Sequence, residues 1–263
     1  MRQLFITSLN SGSNGNCYYI GNEQDAVLVD AGISCRETEK RLRRLGLSMD
    51  TVRAIFISHE HSDHIRGVPQ LARKYQLPVY ITRRTYLQSG FPDGWFPVRT
   101  LESHEPVQIG DLRITAFPKL HDACDPHSFL VSCHDTRVGV FTDIGQACEQ
   151  VVSYFSRCHA AFLEANYDED MLESGRYPYY LKRRIRGGMG HLSNRQALDL
   201  FRNHKPSYMS HVLLSHLSKE NNCPVRTRDL FSAHQDGTEV IVASRFEETP
   251  VFTIRGQEVE ELL

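Results

Sequence analysis

No stretch of the 263-residue chain approaches eighteen consecutive apolar residues, so the sequence offers no candidate for a membrane-crossing helix. The opening residues, Met1 to Thr7, lack the long apolar region and small-residue cleavage site of a secretory signal, and the expected compartment is the cytoplasm. Cysteine makes no C-x-x-C pair. The seven residues (Cys17, Cys35, Cys124, Cys133, Cys148, Cys158, Cys223) are scattered and odd in number, which reads as reduced thiols. Positive charge is not in surplus: 30 Lys and Arg stand against 32 Asp and Glu, a formal net charge of −2. That balance argues against a globally basic nucleic-acid binder and leaves room only for a local basic strip. Repeats and low-complexity tails are also missing.

What remains is an ordinary globular composition, 40% hydrophobic and 24% charged. A chain of this length buries about three-quarters of its unfolded surface, enough for a layered core without help from disulfides or metals. It is expected to form one domain over residues 1–263.

The densest chemistry lies in His59-Glu60-His61-Ser62-Asp63-His64, after the apolar run Ala54-Ile55-Phe56-Ile57-Ser58. That run reads as a buried strand, and Ile65, Val68, Leu71, Ala72 and Tyr75 follow at helical spacing, which puts the cluster on a strand-to-helix loop. Imidazole and carboxylate are ligands for zinc, manganese or iron, and three histidines at a strand end have little packing use. His59 and His61 can chelate one ion from the same side of an extended segment. Asp63 and His64 lie further round the turn, so the spacing suggests two adjacent ions.

Other strand-like runs also end in ligand-type residues. His121 follows Phe117-Pro118, Asp143 ends Gly139 to Thr142, Glu164 follows Leu163, and His216 follows Val212 to Ser215. Such groups on one rim fit an α/β sheet enzyme. Near the start, Ser11-Gly12-Ser13-Asn14-Gly15-Asn16 reads either as an anion-facing glycine loop or as a plain hairpin loop. Ser34 and Glu37 form a candidate capping box for a helix running to about Gly46. Lys182-Arg183-Arg184-Ile185-Arg186-Gly187-Gly188 is either a solvated charged segment or a substrate-facing strip beside His191.

With His59, His61, Asp63, His64, His121, Asp143 and His216 in this order, the chain resembles the metallo-β-lactamase fold superfamily over nearly its whole length. The resemblance implies an αββα sandwich, two mixed β-sheets with helices outside, and a dinuclear metal site at one edge. It implies that His59, His61 and His121 hold one ion, that Asp63, His64 and His216 hold the other, and that Asp143 bridges. Asp30 matches an aspartate that orients ligands by hydrogen bonding. Glu164-Ala165-Asn166, Gly190 to Asn194 and Ser215 to Asn222, together with Ser11 to Cys17 and Gly175-Arg176-Tyr177-Pro178, resemble the YycJ (WalJ) family. That likeness implies a phosphodiesterase with 5′-to-3′ DNA exonuclease activity and a link to bacterial DNA repair, including repair-protein partners.

His61, His64 and Asp143 differ from the residues of diiron flavoproteins and of the commonest metallo-β-lactamases, which argues against oxygen reduction and antibiotic hydrolysis. They do not separate a nuclease from a thioesterase, and an RNA-processing nuclease or a lactone or cyclic-phosphate hydrolase stays open. In the expected mechanism two ions about 3.5–4 Å apart share a water and clamp the phosphodiester oxygens. Asp63, His191 and Glu164 are the catalytic candidates, with His191 kept protonated by Glu164 as proton donor. Ser13, Asn14, Asn16, Lys182, Arg183, Ser218 and Asn221 are the candidate substrate contacts.

Overall fold

The computed structural model describes residues 3–256. The first sheet contains β1 (Gln3–Asn10), β2 (Cys17–Gly21), β3 (Ala26–Val29), β4 (Val52–Phe56), β5 (Val79–Ile81) and β6 (Val98–Thr100). The second contains β7 (Pro106–Ile109), β8 (Leu112–Pro118), β9 (His127–Cys133), β10 (Thr136–Phe141), β11 (Ala160–Glu164), β12 (His211–Ser215) and β13 (Glu239–Val242). The last described strand, β14 (Phe252–Arg255), returns to the first sheet, giving the orders β14-β1-β2-β3-β4-β5-β6 and β13-β12-β11-β10-β9-β8-β7. In each sheet an antiparallel meander passes into a parallel run: β3 to β6 in the first, β10 to β13 in the second.

Helices α1 (Cys35–Arg44), α2 (Ser62–Ile65), α3 (Val68–Tyr75) and α4 (Arg83–Ser89) connect the parallel strands of the first sheet. Helices α5 (Glu149–Phe155), α6 (Glu169–Ser174), α7 (Tyr179–Arg186), α8 (Asn194–His204) and α9 (Pro224–Ser232) do so in the second. Strand periodicity explains the layering. Val27, Val29, Ala54 and Phe56 face Phe129, Val131, Val140 and Phe162 in the core between the sheets. The intervening Leu28 and Ile55 face outward onto Leu42, Val68 and Leu71 of the first helical layer. On the far side Phe141, Ala161 and Leu163 pack on Phe155, Phe201 and Phe231. These four layers form an αββα sandwich of two mixed sheets, and strands buried on both faces need the near-continuous apolar runs seen in the sequence.

Local chemistry departs from the sequence reading in three places. Ser34 caps α1 by accepting from Glu37 N, but the Glu37 carboxylate turns to Arg41 Nε at 2.9 Å, so only half of the capping box forms. The helix after the histidine cluster is broken into α2 and α3 at Gly67, where a Cβ would lie 1.8 Å from the Ile33 carbonyl oxygen. Asp63 and His64 therefore lie on a one-turn helix and not on a loop. In the Ser11–Asn16 turn, Gly12 N donates to Asn16 Oδ1, Gly15 N to Gly12 O and Asn16 N to Asp63 O, which leaves these three amides committed to the loop itself.

Candidate metal centre

The two parallel runs point their carboxyl ends to one edge, where open α/β sheets place their ligands. Asp30 follows β3, the His59–His64 segment follows β4, Asp143 follows β10, Glu164 ends β11 and His216 follows β12. Asp30, Asp143 and His216 all have left-handed backbones, with φ of 60°, 54° and 58°. A non-glycine residue there costs about 1–3 kcal/mol, and such strain concentrates at functional sites.

Four sets of donor atoms converge: His59, His61 and His121; Asp63, His64 and His216; His59, His64 and Asp143; and Asp143, Glu164, His191 and His216. His61 Nδ1 lies 3.0 Å from His59 Nε2 and 3.4 Å from His121 Nε2. Asp143 stands between the halves, with Oδ2 3.1 Å from His64 Nε2 and Oδ1 3.7 Å from His121 Nε2 and 3.6 Å from His216 Nδ1. His216 Nε2 is 3.4 Å from Asp63 Oδ2.

The outer hydrogen bonds decide which nitrogens face the centre. His64 Nδ1 donates to Asp30 Oδ2 at 2.7 Å, and His121 Nδ1 donates to the Gly190 carbonyl at 2.9 Å. Ser58 Oγ donates to Asp30 Oδ2 and can therefore accept from His59 Nδ1 at 2.9 Å. Glu164, which can only accept when ionised, takes His191 Nδ1 at 2.8 Å and His216 Nδ1 at 3.1 Å. With Nδ1 bonded outward in each case, Nε2 of His59, His64, His121 and His216 is the nitrogen turned to the centre, where a cation would take the place of a proton.

The donor set fits divalent cations on the structure's own terms. Asp143 Oδ2 is buried without a hydrogen-bond partner among the described residues, and the one proton that His61 Nδ1 can carry cannot serve both His59 Nε2 and His121 Nε2, whereas a cation between the three rings satisfies all of them. Titration divides the rings: burial opposes charge on His64, but Asp143, Asp30 and Asp63 raise it well above the usual histidine range, whereas two others are lowered. Burial holds His59 well below the usual histidine range and brings His121 to about 4, so both favour the neutral, metal-binding form. Burial alone would raise Asp63 and Glu164, but the neighbouring histidines outweigh it and hold each at about 2. Burial likewise opposes charge on His216, but Asp143, Asp63 and Glu164 raise it to about 10. A proton on that ring marks a place where the surroundings favour positive charge.

Glu164 is fully buried and also accepts from Ile144 N at 2.7 Å and Leu192 N at 3.1 Å. His191, whose side chain is 21% exposed, lines a cavity of about 210 Å3 with Ser13, Asp122, Asn166, Arg184 and Ser218. Its Nδ1 is tied to Glu164, which leaves Nε2 to act in the cavity.

The candidate substrate contacts are distributed unevenly. Ser13 and Ser218 line the cavity, and exposed Asn14 donates to the Arg245 carbonyl at 2.8 Å. Asn16 is fully buried, and its Nδ2 reaches Asp63 Oδ2 at 3.2 Å and His64 Nε2 at 3.1 Å, a bracing position behind the ligands. Asn221 is buried with its side-chain amide unpartnered among the described residues. The basic segment is the exposed helix α7, in which Lys182 is bonded to the Glu173 carbonyl and Arg183 lies over the Tyr179 ring. The cationic side chain that this helix brings to the cavity is Arg184, paired with Asp122.

Sequence reading placed Asn166 in a motif without giving it a role, and overlooked Lys119: Asn166 donates to the His216 carbonyl at 2.7 Å, and Lys119 is a buried ammonium donating to the Thr142 carbonyl at 2.6 Å. Both lie within two residues of a singled-out side chain, Glu164 and His121, and that proximity was the available signal.

Residues 25–216 match the beta-lactamase superfamily domain. The chain is 35% identical over 222 residues to exodeoxyribonuclease YycJ of Bacillus anthracis, covering 83% of this chain and 84% of that protein. It is 33% identical to exodeoxyribonuclease WalJ of Streptococcus pneumoniae serotype 2, covering 81% of each. Among solved structures, the metallo-beta-lactamase fold protein YhfI from Bacillus subtilis superposes with a TM-score of 0.74 at 16% identity, over 95% of this chain and 99% of that one.

Proposed function

The chain belongs to the metallo-β-lactamase superfamily and within it to the YycJ/WalJ-like family, and from that membership we propose that it is a metal-dependent phosphodiesterase acting as a 5′-to-3′ DNA exonuclease. The observation that carries the reading is the Glu164–His191 pair beside the seven-residue donor set. A thioester releases a thiolate, which leaves without a proton. A phosphodiester releases an alkoxide, which needs one, and His191 Nε2 opens on the cavity where that oxygen would sit.

Zn2+, Mn2+ and Fe2+ all suit this His and Asp set. When bound, the cations would supply Lewis acidity and a nucleophilic water near neutral pH. Every other function falls to the chain. His59, His61 and His121 on one side, and Asp63, His64 and His216 on the other, would hold the ions, with Asp143 between them. Asp30 and Ser58 fix the His64 and His59 rings, Asn16 braces Asp63, and Glu164 fixes both His191 and His216. His191 delivers the proton to the leaving 3′-oxygen. The likeness to the exodeoxyribonucleases supports DNA as substrate, and the proposal extends to a role in DNA repair in the cytoplasm. Among the described residues no helix is long and apolar enough to cross a membrane.

Digestion of end-labelled 5′-phosphorylated DNA, matched RNA and a generic thioester across several divalent metals tests the proposal. Release of nucleotides from the 5′ end of DNA is the expected result. Faster hydrolysis of the thioester, or of RNA, would replace it.

A further inference from the structure

Beside the catalytic cavity lies a larger one of about 630 Å3, between α9 and β13. The two share Leu217 and Ser218 as walls. The larger one also reaches Ser11, whose Oγ accepts from the backbone N–H of His216 at 2.7 Å, so its inner end abuts a metal-ligand candidate. Its floor is apolar, from Val240 to Ala243, and its rim carries Lys219, Arg228, Arg245 and Phe246.

The rim's chemistry is specific. Lys219 has Glu220 at 3.9 Å, but Arg228 and Arg245 face no carboxylate within ion-pair distance among the described residues. Arg245 Nη2 donates to Ser13 Oγ at 3.1 Å, which links the rim to a residue that lines the catalytic cavity. Its Nη1 is buried with no acceptor among the described residues. A buried guanidinium nitrogen without an acceptor is costly, and an anion placed there satisfies it. Phe246 is 74% exposed at the same rim, a flat apolar face that the fold does not use. Unpaired cations beside an exposed ring, continuous with a phosphodiester-cleaving centre, suit a strand whose charge lies in its backbone and whose bases are unpaired.

We propose that this groove seats a single-stranded stretch of nucleic acid leading away from the metal centre, with backbone phosphates at Arg245 and Arg228 and an unpaired base against Phe246. This rests on the phosphodiester substrate proposed above and adds the means by which a strand is retained between successive cleavages. A chain with net charge −2 has little global attraction for nucleic acid, so affinity must come from local cations of this kind.

The test uses the full chain and the variants Arg228→Ala and Phe246→Ala, both at exposed side chains with no fold-holding bond. Binding of a fluorescein-labelled, phosphorothioate-linked single strand of about 15 nucleotides is followed by anisotropy, apart from any turnover. Each variant is expected to weaken binding about tenfold, and Arg228→Ala to flatten the slope of log Kd against log salt by about 0.7. Hydrolysis of bis(p-nitrophenyl) phosphate, which reaches only the metal centre, should stay within about twofold of the parent. Unchanged binding in both variants overturns the groove, as does equal affinity for blunt duplex or a parallel loss of small-diester hydrolysis. If the parent binds no strand, the groove is overturned, and hydrolysis of the small diester then decides separately whether the phosphodiesterase reading stands.

Discussion

Replacing Glu164 by Gln keeps the side-chain shape and exchanges one acceptor oxygen for an NH2 group. The fully buried carboxylate accepts four N–H groups: Ile144 N and Leu192 N on Oε2, His191 Nδ1 and His216 Nδ1 on Oε1. The best Gln orientation keeps its oxygen on the two backbone amides and turns its NH2 to the two imidazoles. Both rings must then accept at Nδ1 and carry their proton on Nε2, which costs His216 its lone pair toward the metal centre and His191 the Nδ1–H bond to a carboxylate that orients it as proton donor. Losing two charge-assisted hydrogen bonds at about 1.5–3 kcal/mol each gives a destabilisation of about 3–6 kcal/mol. Loss of the proton donor should lower kcat by about 10^2–10^4.

Stability and acid dependence can be read in the metal-free protein by chemical unfolding. Burial, outweighed by His191 and His216, leaves the Glu164 carboxyl at about 2 against an ordinary value of 4.5. A folded-state pKa below the unfolded one stabilises above pH 4.5 and loses that contribution as pH falls toward 2, here about 3 kcal/mol. The stability gap between parent and Glu164→Gln should therefore be widest near neutrality and shrink below about pH 4.5. A variant with parental unfolding free energy, or with kcat within about twofold of the parent, would refute the role given to Glu164.

His191→Ala should lose turnover on DNA while elemental analysis finds the parental metal content; retained turnover removes His191 as proton donor. Asp143→Ala should lose activity together with bound metal, since Asp143 reaches both halves of the donor set; full occupancy in this variant contradicts that position. Gly67→Ala would drive a methyl group into the Ile33 carbonyl and should cost about 3 kcal/mol, lowering Tm by several degrees in a thermal melt. An unchanged melting temperature would mean that the α2–α3 break does not depend on glycine.

The sandwich was legible because its strands are apolar on both faces, as in Ala54 to Phe56 and Val138 to Phe141, and the metal cluster because His59 to His64 concentrates ligands in six residues. The shape of the site was not legible from spacing. His59 and His216 are brought together by two sheets whose pairing no local pattern encodes, and only family resemblance joined them. The exposed helix α7 fully buries none of its residues, and its apolar side is only Leu181 and Ile185, one turn apart, too little to mark a helix in the sequence. Strands β6 and β7 are short and largely exposed; β6 has no alternation, and the alternation of β7 rests on Val107 and Ile109 alone. Lys119 escaped notice because lysine is ordinarily a surface residue; here its ammonium is held inside by a carbonyl.

The central claim is that side chains from distant segments meet round a pair of divalent cations. Anomalous diffraction from crystals grown with Mn2+ tests it directly. Two peaks are expected, one within coordination distance of His59, His61 and His121, the other of Asp63, His64 and His216, with Asp143 touching both. A single peak, or peaks away from these residues, would contradict it.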